Sequence, residues 1–62
     1  MNPQAERCRR KALECERQAV LATEQTARDM FRDLALQWRT MAQEVEELER
    51  RRDDIQRTSG TN

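Results

Sequence analysis

Two apolar series at alternating three- and four-residue spacing, separated by one step of five, constrain this chain more than any other feature. The first series is Ala5, Cys8, Ala12, Cys15, Ala19 and Ala22. The second is Ala27, Phe31, Leu34, Trp38, Met41, Val45 and Leu48, with Ile55 returning in register after Arg52. Such spacing gathers each series onto one stripe of an α-helix. The step from Ala22 to Ala27 turns the stripe by about 100°, one residue's worth at 3.6 residues per turn. A tight reversal around Thr23-Glu24-Gln25-Thr26 accounts for the jump, since threonine caps a helix better than it continues one and antiparallel helices are joined by short loops. A single long helix with a stutter is the alternative, because the segment holds neither Gly nor Pro.

The rest of the composition supports helix throughout. Of 62 residues, 39% are charged, one is Gly and one is Pro, which leaves almost no turn or strand vocabulary. A chain of this length makes one small domain. The expected fold is all-α, an antiparallel two-helix hairpin over residues 1–57. Helix one spans about 3–23, with Asn2 as N-cap and Pro3 at the first helical position, where its missing N–H is no loss. The turn occupies 23–26 and helix two about 26–57. Thr58-Ser59-Gly60-Thr61-Asn62 reads as a disordered tail.

Small residues fill the first stripe and large ones the second, as interdigitating layers require. Folding the chain about residues 24 and 25 sets Ala19 near Phe31, Cys15 near Leu34, Ala12 near Trp38, Cys8 near Met41 and Ala5 near Val45. The expected intrachain core is therefore Ala12, Cys15, Ala19, Phe31, Leu34, Trp38, Met41 and Val45. The same folding places Arg7, Arg9, Arg10 and Lys11 beside Glu44, Glu46, Glu47 and Glu49, an arrangement that disfavours parallel helices. Helix two is the longer, and Leu48 and Ile55 lie on its overhang without an intrachain partner. Leu13, Val20, Leu21, Met30, Ala35, Leu36 and Ala42 flank the seams. A lone hairpin cannot cover both sets, so the sequence predicts self-association into a dimeric four-helix bundle, with Leu48, Ile55, Leu13 and Val20 binding the partner. A helix from a different protein would satisfy the same surfaces.

Chemistry has little to work with here. Two aromatics and no Tyr leave scant material for a closed ligand pocket, and the glutamates have no His partner. The single Gly excludes a phosphate-binding loop. No enzyme, cofactor, metal or small-molecule substrate is expected. Cys8 and Cys15 lie about 10.5 Å apart along one helix face, too far to bridge there, and read as small buried hydrophobes. Phe31 and Trp38 fall on the seam, which favours core over base stacking. The formal net charge is +0, which lacks the excess that phosphate binding draws on. The basic runs Arg9-Arg10-Lys11 and Arg50-Arg51-Arg52 are the sole candidates for nucleic acid. No apolar run long enough to span a membrane exists, and Met1 to Glu6 lack the apolar region of a secretion signal, so a cytoplasmic address and reduced thiols are expected.

Glu14-Cys15, Ala19, Ala22-Thr23, Arg28, Leu34-Ala35, Trp38 and Ala42 together resemble a pattern carried by a group of very short uncharacterised proteobacterial proteins. That pattern reads E-C-x-x-x-A-x-x-A-T, a turn, then R-x-x-x-x-x-L-A-x-x-W-x-x-x-A, over roughly forty residues. Members often have Asp-Pro at the turn, where this chain has Glu24-Gln25. The resemblance implies a bacterial helical hairpin. In architecture the chain is also similar to the Rop-like dimeric hairpins that bind RNA, although no binding residue carries over. The expected function is that of a small interaction or regulatory module acting through helix–helix association. A Rop-like nucleic-acid binder using Arg9, Arg10, Lys11, Arg50, Arg51 and Arg52 is one alternative, and a subunit that folds with a different protein is another.

Overall fold

The computed structural model describes residues 2–60, with side chains through Ile55. They form two helices, α1 (Pro3–Leu21) and α2 (Gln25–Gly60), joined by residues 22–24. The helices lie antiparallel: Asn2 bonds to Glu49, Arg9 pairs with Glu46, and Glu16 pairs with Arg39. The Cα atoms extend 59 × 16 × 9 Å, a single layer two helices wide.

α1 starts as its sequence dictates. The Asn2 side-chain oxygen accepts from the amides of Gln4 (3.0 Å) and Ala5 (3.3 Å), satisfying two of the amides that a helix start leaves open, and Pro3 follows at the first position. At the other end Ala22 leaves the helix with φ −68° and ψ 133°, while its amide still donates to the Gln18 carbonyl at 2.9 Å. α2 opens where the Glu24 carbonyl accepts from the Arg28 amide at 3.0 Å, and the Gln25 side chain donates to Asp29 at 2.8 Å. No described residue has positive φ. The reversal therefore needs no Gly, which is why the sequence shows none there.

The element bounds differ from expectation at both ends. α1 stops at Leu21 rather than near 23. α2 runs through residues 58–60, which were expected in a disordered tail, while residues 61 and 62 lie outside the described ones. Thr and Ser cost a helix only about 0.7 kcal/mol each, too little to stop one already propagating.

The seam also differs from the expected one. The buried residues are Ala5, Cys8, Ala12, Ala19, Ala35 and Ala42. Ala35 and Ala42, expected on the flank, face α1, whereas Met41, expected in the core, is 46% exposed. Cys15, Phe31, Leu34, Trp38 and Val45 are half-buried, with Trp38 and Val45 packed on the cluster of Ala5, Cys8 and Ala42. Small residues thus meet small ones at the centre, because two Ala-lined stripes let the backbones approach closely and the bulky side chains wrap the sides. The ion pairs Arg9–Glu46 and Glu16–Arg39 sit about one and a half turns further along α2 than a fold about residues 24 and 25 places them, whereas the cluster of Ala5, Cys8, Ala42 and Val45 keeps the expected level. Side chains lean toward the N-terminus of their own helix, so in an antiparallel pair each reaches a partner later in the other helix.

A close approach of this kind is sensitive to volume. Ala42→Leu is expected to lower stability by about 1–3 kcal/mol through overpacking, whereas Met41→Ala lowers it by under about 1 kcal/mol. Thermal unfolding followed by circular dichroism, at concentrations low enough to hold the chain monomeric and in a stabilising osmolyte that restores helicity to the dilute hairpin, checks the contrast.

Candidate association surface

α2 presents three adjacent rows at seven-residue spacing. Ala35, Ala42 and Glu49 form the row nearest α1. Phe31, Trp38 and Val45 form the next, about 50° around the helix, and Leu34, Met41, Leu48 and Ile55 form the third, about 110° around. Where α1 lies alongside, burial falls in that order, from Ala35 and Ala42 through Phe31, Trp38 and Val45 to Met41, while Glu49 at the end of α1 is exposed. Burial also falls along the third row as α1 runs out: Leu34 is half-buried, Met41 is 46% exposed, Leu48 64% and Ile55 67%. The α1 N-cap bonds at Glu49, so α2 continues alone from there to Gly60 for about 16 Å.

The two edges of the hairpin differ in chemistry. On one edge Asn2–Glu49, Arg9–Glu46 and Glu16–Arg39 cross between the helices. A shallow groove there is lined by Arg9, Ala12, Leu13, Arg39, Ala42 and Glu46 among others. The four side chains of the ion pairs keep 36–54% of their surface exposed, so each pair contributes only about 0–1 kcal/mol. Their order specifies register instead, since a shift of seven residues sets Arg9 against Arg39 or Glu16 against Glu46, like against like. The opposite edge has no such crossing pair among the described residues, and it carries the Leu34, Met41, Leu48 and Ile55 row.

Leu48 and Ile55 are exposed on the apolar edge. Leu13 (56% exposed) and Val20 (83%) are also exposed, but on the ion-paired edge, where Leu13 sits beside Arg9 and Arg39, and Val20 beside Glu16 and Arg17. The expected partner-binding set is thus divided between two surfaces. Of the basic cluster facing the glutamates, Arg9 alone pairs across the seam. Lys11 reaches Glu14 at 3.9 Å, while Glu47 is taken by Arg50 at 3.7 Å and Arg51 at 3.5 Å. Arg10 and Lys11 instead share the back of α1 with Arg7 and Arg17. Arg7 and Arg17 lie outside the basic runs 9–11 and 50–52, although the 7-10-17 spacing marks one helix face. Both thiols are free, Cys8 buried and Cys15 half-buried.

No described helix is long and apolar enough to cross a membrane, and no group of three or more metal-ligating side chains occurs among the described residues. The fold defines the chain as an all-α helical hairpin. Comparison with protein-family models, with curated proteins and with solved structures returned no match.

The crossing pairs invite a direct check on their role. Exchanging the charges of one pair, Glu16→Arg with Arg39→Glu, is expected to leave helicity and melting temperature near those of the parent, while either change alone lowers stability by about 1 kcal/mol. A double variant no better than the singles, in a double-mutant cycle on thermal melts, removes the register role.

Proposed function

We propose that this chain is a small non-enzymatic module that works through helix–helix association, and that its first partner is a second copy of itself. The observation that carries this reading is the row Met41, Leu48 and Ile55. These large apolar side chains stand exposed at seven-residue spacing on one edge, beside half-buried Phe31, Trp38 and Val45. A neighbouring helix laid along that edge covers both rows at once. Among the described residues the hairpin by itself encloses only alanines and one cysteine, and a core of this size rarely supplies more than about 3–5 kcal/mol. Burial of the exposed row on association adds to it.

The basic back of α1, with Arg7, Arg10, Lys11 and Arg17 lining one shallow groove, favours a polyanion as the second reading. Retention on a polyanionic resin that vanishes between low and moderate salt supports it, and indifference to salt removes it.

Sedimentation equilibrium with circular dichroism on dilution tests the first reading. A dimeric mass at micromolar concentration, with helicity falling as the chain is diluted, is the expected result. Met41→Ser with Leu48→Ser and Ile55→Ser is expected to give a monomer. A parent chain that is monomeric and fully helical at all concentrations overturns self-association, and one that is monomeric and poorly helical points to a different protein as the required partner.

A further inference from the structure

From the placement of Glu44 and Arg51 we infer that two copies join along their α2 helices, antiparallel and in one register centred between Glu46 and Glu47, with Glu44 of each copy facing Arg51 of the partner subunit. This rests on the self-association proposed above and adds its geometry.

The row nearest α1 is occupied by the seam within the hairpin. Phe31, Trp38 and Val45, with Leu34, Met41, Leu48 and Ile55 next to them, are what α2 offers to a neighbour. A further row, Gln37, Glu44 and Arg51, borders them on the side away from α1. All three residues are exposed. Glu44 makes no ion pair among the described residues. Among the described residues Arg51 pairs with Glu47, one turn away at 3.5 Å. This bordering row lines the rim of an α2–α2 contact, where charge selects alignment.

Antiparallel alignments that keep apolar rows in contact differ by steps of seven residues. In the inferred one, Val45 meets Leu48 of the partner subunit, Trp38 meets the partner's Ile55, and Met41 meets the aliphatic stem of the partner's Arg52. Glu44 and Arg51, two residues off level in that register, then reach each other twice across the two-fold axis, because rim side chains lean toward the N-terminus of their own helix. One step shorter places Glu44 against Glu44 of the partner subunit. One step longer places Arg51 against the partner's Arg51. A parallel, in-register pair brings Glu44 toward the partner's Glu49. Every neighbouring alignment therefore sets like charges together, and one sets opposite charges together. In that alignment the stretch of α2 beyond Glu49, bare within its own hairpin, lies along the Trp38 and Met41 region of the other copy.

Charge exchange followed by sedimentation equilibrium at low ionic strength tests the register, with circular dichroism confirming that each full-length variant is helical. Glu44→Arg alone and Arg51→Glu alone are each expected to raise the dimer dissociation constant about tenfold, because two attractive rim pairs become repulsive. Glu44→Arg combined with Arg51→Glu is expected to return it to within about twofold of the parent. A parent dimer that neither single change weakens, or a double variant as weak as the singles, overturns this register while leaving self-association standing. A monomeric parent overturns both.

Discussion

The hairpin depends on two stripes of small side chains pressed together. Among the described residues the buried positions hold Ala and one Cys and nothing larger, so the backbones come close while little apolar surface is enclosed at the centre. Every bulky side chain is pushed to an edge. Phe31, Leu34, Trp38 and Val45 cover the seam from the side and keep part of their surface in water. Close packing without volume yields many dispersion contacts per unit length and few fully desolvated groups. The fold is consequently well specified and modest in the surface it hides.

Two edges with different chemistry follow from that seam. One is bridged by Asn2–Glu49, Arg9–Glu46 and Glu16–Arg39, whose alternating charges define direction and register. The other is apolar along most of its length and grows barer toward Ile55, beyond the reach of α1. The unequal helices sharpen this contrast. Nineteen residues cannot shield thirty-six, and the shortfall falls on the part of α2 where Leu48 and Ile55 project.

Much of the architecture was legible in the chain. The five-residue step between Ala22 and Ala27 located the reversal, and Asn2-Pro3 announced the start of α1, because capping is a local property of adjacent residues. Which stripe of α2 faces α1 was not legible. Leu34, Met41 and Ala42 sit at neighbouring angles, and hydrophobicity favours the larger side chains for the interior. Close approach of Ala12 and Ala19 rewards small partners instead, a long-range effect that spacing alone does not encode. The end of α2 was not legible either, since Thr58 and Ser59 look like stop signals yet cost a helix little. For the candidate surface, Leu48 and Ile55 could be found from their position on the longer helix. The separation of Leu13 and Val20 from them emerged only with the crossing ion pairs in place.

The bend at residues 22–24 is built from ordinary backbone. Ala22 differs from a helical residue chiefly in ψ, and nothing in the bend requires a left-handed conformation. Such a joint stores no elastic preference for staying closed. Were the alanine stripes separated, rotation at a few torsions would straighten the chain into a rod about one and a half times the hairpin's length. The bent shape is thus a property of the mated helices, and the linker merely permits it.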